Sequence, residues 1–122
     1  MPDFCDCEPS YEDLKQMHFD SLKRKLSIDL IIACEIYHNN TNGQPVWFTR
    51  LCEVFEGLIS KNDVNHSLDT LSDWIVIYGE YGETKSGYGG YRYFIDKDAK
   101  YKIEELYNKY YAWYRRSFLK YQ

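Results

Sequence analysis

The stretch YGEYGETKSGYGGYRYF at residues 78–94 constrains the fold of this chain more than any other. Its five glycines exclude a helix interior, where each would cost about 1 kcal/mol against alanine, and its tyrosines are too many for a solvated linker. The flanks are β-branched and aromatic: Trp74-Ile-Val-Ile-Tyr78 reads as a strand and Gly90-Tyr-Arg-Tyr-Phe-Ile95 as its return. Gly79, Gly82, Gly87 and Gly89 between them supply the backbone freedom of a long hairpin tip.

Most of the chain between residue 11 and the hairpin has helical period. Residues 1–10 form an irregular tail, closed by Pro9. Ser10 then opens a capping sequence with Asp13, and Tyr11, Leu14, His18 and Leu22 follow at helical spacing, so an amphipathic helix is predicted over 11–26 with Lys23, Arg24 and Lys25 at its negative end. Ser27 caps a second helix, apolar on most sides from Ile28 to His38 and therefore central. The run Asn39-Asn-Thr-Asn-Gly-Gln-Pro45 is turn-forming in every residue. Trp47, Phe48, Leu51, Cys52, Val54, Phe55, Leu58 and Ile59 repeat at helical spacing and predict a third helix, broken at Gly57 before Ser60. Ser60-Lys-Asn-Asp63 caps a fourth, whose buried stripe is Val64, Leu68 and Leu71 and whose outer face carries Asn62, Asn65, His66, Asp69 and Asp73. After the hairpin, Asp96 is predicted to cap a long last helix within 96–122.

At 122 residues the chain makes one domain. No apolar run approaches the roughly 20 residues a bilayer requires, and the acidic start Met-Pro-Asp-Phe-Cys-Asp-Cys-Glu is unlike a secretory signal. The expectation is a cytoplasmic protein that meets no membrane, with Cys5, Cys7, Cys34 and Cys52 as thiols.

The predicted class is mainly α with a small β-hairpin. Two short helices joined by a tight turn, the second with a polar outer face, followed directly by a glycine-tipped hairpin, resemble the winged helix-turn-helix family, and more loosely its PadR-like and MarR-like transcriptional regulators. The resemblance runs over about 27–121 and lies in Val64, Leu68 and Leu71, in Trp74–Tyr78, in the glycine tip and in Tyr91-Arg-Tyr-Phe-Ile95. Where such proteins commonly place a glycine between the second helix and the wing, this chain has Asp73-Trp74. The resemblance implies a winged core at 27–95 with an added N-terminal helix and a long C-terminal helix. It further implies a DNA-binding regulator that reads the major groove of double-stranded DNA with residues 60–72 and rests the wing at 79–90 on the backbone or minor groove. The residues then assigned to DNA are Arg50, Lys61, Asn62, Asn65, His66, Asp69, Lys85, Tyr88 and Arg92.

Charge tests that implication, because affinity for DNA comes largely from Lys and Arg on phosphates. The net charge is −2 over residues 1–26, −5 over 27–75, zero over 76–95 and +3 over 96–122. The helical part of the winged core is thus the most acidic region. Asn62 and Asn65 suit adenine and Asp69 suits cytosine N4, so base reading itself needs no cation. The same acidity supports an alternative, a winged helix that binds another protein and no DNA.

Two further expectations concern the ends. Ile103, Leu106, Tyr110, Trp113, Tyr114 and Phe118 form an aromatic stripe beside Arg115 and Arg116, the composition of an interface, and predict a homodimer through the last helix. Cys5-Asp-Cys7 is a minor candidate for a metal or thiol-responsive site. No cofactor is expected. No nucleophile elbow, phosphate loop or H-x-x-x-H pattern is present among the residues, so the chain is not expected to be an enzyme.

Overall fold

The computed structural model describes residues 8–83, 87 and 89–119. The architecture is mainly helical with one two-stranded antiparallel hairpin. No helix among the described residues is long and apolar enough to cross a membrane.

Helix α1 (Tyr11–Lys23) starts on Ser10, whose Oγ accepts from the Asp13 amide at 3.1 Å while Asp13 reaches back to the Ser10 amide. Helix α2 (Ile28–Thr41) starts on Ser27 and is buried continuously from Ile31 to Tyr37, the central position its all-round apolar sequence demands. It also runs three residues into the predicted 39–45 turn. Side chains explain the extension. Asn39 Nδ2 donates to the Glu35 carbonyl at 2.7 Å, Thr41 Oγ1 to the Tyr37 carbonyl at 2.8 Å and Asn42 Nδ2 to the His38 carbonyl at 2.8 Å. Residues that usually compete with a helix here bond back to it four residues earlier.

Helix α3 (Phe48–Val54) is followed by Gly57 at φ +81°, a turn only glycine makes without strain. Helix α4 (Lys61–Asp73) is capped by Ser60 and buries Val64, Ser67, Leu68 and Leu71. Ser67 Oγ donates to Asp29 Oδ1 at 2.5 Å and so ties α4 to the start of α2.

The hairpin differs from the prediction at its start. Strand β1 is Ile77–Glu83 and β2 is Gly89–Ile95, paired from Ile77↔Ile95 to Glu83↔Gly89. Trp74 and Ile75 belong instead to the turn out of α4, with Ile75 at φ +58°. Gly79 and Gly82, expected in the tip, lie inside β1. Cross-strand neighbours cover them: a Cβ on Gly79 would stand 3.2 Å from Tyr91 Cδ1, and one on Gly82 3.6 Å from Arg92 Nε.

The last segment is α5 (Lys100–Leu106), a π-helical stretch Tyr107–Tyr111 and α6 (Ala112–Phe118). Asp96 does not cap it. Its Oδ2 accepts from the Asp98 amide at 2.9 Å and its carbonyl from the Ala99 amide at 3.0 Å, which shapes the turn, and Ala99 is the cap residue. One core joins all these elements, with Phe19, Ile31, Ile32, Ile36, Leu51, Phe55, Val64, Ile77, Tyr111 and Tyr114 among its members.

Candidate nucleic-acid interface

The predicted site begins with α4. Its buried stripe fixes its rotation, which leaves Lys61, Asn62, Asn65, His66, Asp69 and Asp73 exposed on the outer side. The order along the helix matters. Lys61, Asn62, Asn65 and His66 occupy the first two turns, at the positive end of the helix dipole, while Asp69 and Asp73 occupy the last two. Asp63 is also exposed, at the capped start.

The hairpin is anchored beside this helix by its root. Asn40, in the last turn of α2, acts as a piece of backbone: its Nδ2 donates to the Tyr93 carbonyl at 3.2 Å and its Oδ1 accepts from the Ile95 amide at 2.9 Å. The Tyr93 amide donates to the Val46 carbonyl at 3.0 Å, so the α2–α3 connection lies along the outer edge of β2. That edge would otherwise present unpaired donors and acceptors. Burial raises the Tyr93 hydroxyl pKa, and the Asp69 carboxylate raises it further.

The arginines are less open than the sequence suggests. Arg50 is half-buried with Nε and Nη2 shielded from solvent, and Arg92 is half-buried with Nε shielded, its guanidinium lying over Gly82. Lys61 leans toward α3, where its charge opposes the rise that burial gives the Cys52 thiol pKa. A cleft of about 440 Å³ between α3 and the start of α4 places Lys61 with Glu53 and Glu56. Lys85 and Tyr88 lie outside the described residues, as do Cys5 and Cys7. Among the described residues no group of three or more His, Cys, Asp or Glu is placed to hold a metal.

The structure redistributes the acidity counted along the sequence. Glu35 is fully buried, and Arg115 of α6 grips it from Nε to Oε1 at 2.8 Å and from Nη2 to Oε2 at 3.0 Å. Tyr111 donates to Oε1 at 2.7 Å and Asn39 to Oε2 at 2.9 Å, so both carboxylate oxygens are doubly satisfied. Asp29 holds Ser67. Two of the seven carboxylates in 27–75 are thus engaged inside the molecule.

The aromatic stripe is largely internal. Ile103 and Tyr114 are buried within the chain and Leu106, Tyr110 and Phe118 pack partly against its core, so these five dock the last helix on its own domain; Trp113 is the member left 52% exposed. This corrects the assignment of Ile103 and Tyr114 to a surface that meets a second copy: their apolar area is already covered by α1 and α2.

Sequence reasoning missed Asn40, which anchors the root of the hairpin, and Glu35, Asn39, Tyr111 and Arg115, which join the last helix to α2. One signal was present, a carboxylate in the middle of an otherwise apolar helix, since an ionised group in such a place requires a partner. No family model, curated protein or solved structure matches the chain.

Proposed function

We propose that this protein is a DNA-binding regulator of winged helix-turn-helix type, with α3 and α4 as the helix pair, α4 as the groove-reading helix and β1–β2 as the wing. The observation that carries the reading is the polarity along α4: Lys61, Asn62, Asn65 and His66 are exposed together on its N-terminal half, with Asp63 at the capped start, while Asp69 and Asp73 lie on its C-terminal half. The N-terminal half is the part such a helix offers to base edges. The bond from the Tyr93 amide to the Val46 carbonyl supports the same layout, because it holds the α2–α3 connection beside the hairpin.

Few cations contribute, and the binding should show it. With Lys61, Arg50 and Arg92 as the phosphate contacts, log K should fall against log salt with a slope of about −2 to −3. Fluorescence anisotropy on a pool of labelled duplexes at low salt tests this. Lys61→Ala should lower affinity for all duplexes alike and reduce the slope by about 1. Asn62→Ala with Asn65→Ala should remove discrimination between duplexes and leave the slope unchanged.

A second reading is a protein-binding module of the same architecture. It is favoured by the exposed apolar pair at the α4–β1 junction, Trp74 at 77% and Ile75 at 69%, with Asp73 beside them and Glu80 and Glu83 exposed on β1. Absence of retention on any duplex at low salt would exclude the first reading in favour of this one.

A further inference from the structure

On the side formed by α1 and the last helix there is a cleft of about 400 Å³, within the size range of small-molecule sites. Its walls follow from the antiparallel packing of the two helices. Tyr11 meets Phe118, the Tyr114 hydroxyl donates to the Lys15 carbonyl at 2.8 Å, and His18 stands edge-on to Trp113 with ring centres 5.2 Å apart. His18 also stacks on Phe118 at 5.3 Å, which holds its ring in place. Beyond this point the helices leave the cleft open, lined by His18, Ser21 and Lys25 on one side and by Lys109, Tyr110 and Trp113 on the other.

The lining is sorted by chemistry along its length. The aromatic end is His18 with Trp113. The cationic end is Lys25 with Lys109, and neither lysine belongs to an ion pair found among the described residues. Lys109 Nζ stands 5.3 Å from the centre of the Tyr110 ring. Ser21 presents a hydroxyl between the two ends, and no carboxylate lines the cleft among the described residues. Lys25 lies in the turn just after α1, seven residues beyond His18.

We infer that this cleft binds a nucleoside monophosphate, with the base against Trp113 and His18, the sugar hydroxyls at Ser21 and the phosphate between Lys25 and Lys109. A base offers a π-face to an exposed indole. A phosphate monoester carries nearly two negative charges, which two ammonium groups match as point charges. The site is separate from the α4 face and does not depend on what that face binds.

Isothermal titration of the full chain with AMP, GMP, CMP and UMP tests the inference. The expected result is saturable 1:1 binding of at least one of them, with the corresponding nucleoside and inorganic phosphate each at least about ten-fold weaker. Lys25→Ala with Lys109→Ala, and separately Trp113→Ala, should each weaken binding at least about ten-fold, whereas Lys97→Ala, at an exposed lysine outside the cleft, should leave it unchanged. Circular dichroism melts check that these surface variants remain folded. The inference is overturned if no nucleotide binds at about 1 mM, if the cleft variants bind as the parent does, or if phosphate alone binds as tightly as the nucleotide. Tighter binding of indole-3-acetate than of any nucleotide would equally overturn it, since the site would then be one for aromatic carboxylates.

Discussion

Glu35 and Arg115 are the residues on which the position of the last helix depends. A buried ion pair adds little net stability over a well-packed apolar pair, but removal of one partner leaves an uncompensated charge and costs about 3–5 kcal/mol. Glu35→Gln and Arg115→Met should each lower the urea unfolding free energy by about that amount, and Glu35→Leu with Arg115→Leu should lose clearly less than the sum. His38 is a second residue with a readable contribution. Its Nδ1 lies 2.8 Å from the Tyr107 hydroxyl, and burial, followed by the Arg115 charge, holds its pKa below the ordinary 6.5. The unfolded chain takes up this proton near pH 6.5 and the folded chain only at lower pH. The stability linked to His38 is therefore complete above about pH 6.5 and declines as pH falls below it. Urea midpoints at pH 7.5 and 5.5 should converge in His38→Gln relative to the parent. The thiol of Cys34 has its pKa raised to about 12 by burial and by Glu35 next to it, and packs as an apolar group.

At the scale of elements, periodicity and capping made most helices legible. Ser10, Ser27 and Ser60 each cap the helix expected of them, because a hydroxyl accepting from an amide three residues on is a local interaction. The hairpin was legible as a hairpin, but its start was not. Trp74–Tyr78 has strand composition, yet α4 runs to Asp73 and the chain turns at Ile75, a β-branched residue in a left-handed conformation that local preference disfavours. The long-range partners of β1 outweigh that preference. Asn40 belongs to the same class of effect: its turn-forming character was visible, its role as a surrogate strand was not. Asn40→Ala should remove both bonds to β2 and destabilise the fold by about 1–3 kcal/mol. The sharper check is hydrogen exchange, where the Ile95 amide should lose protection far more than amides within α2. The π-helical stretch Tyr107–Tyr111 was likewise hidden, since it ends on Tyr111 and leads into Arg115, both of which meet Glu35, a requirement set by another helix.

For the whole molecule, the outcome that changes most between sequence and structure is the use of the aromatic stripe. Because Ile103 and Tyr114 are buried and three further members are half-covered, little of it remains to join two copies. Sedimentation velocity at tens of micromolar should return a species near 14.7 kDa. A stable dimer would need an interface of roughly 1,200 Å² or more, and would have to find it elsewhere. The acidity of the 27–75 region counts against DNA when summed along the chain, and counts for less once Glu35 is neutralised internally by a residue 80 positions away.

The sequence by itself determined the helical content, the caps, the central place of α2, the existence of the hairpin and the outward polarity of α4. Each of these depends on neighbours within a few residues or on a period of hydrophobicity. The tertiary structure alone decided which carboxylates remain exposed, where β1 begins, how β2 is anchored and what covers the last helix. Those outcomes are pairings between groups far apart in the chain, such as Asn40 with Ile95 and Glu35 with Arg115, and such pairings leave no local trace in the sequence.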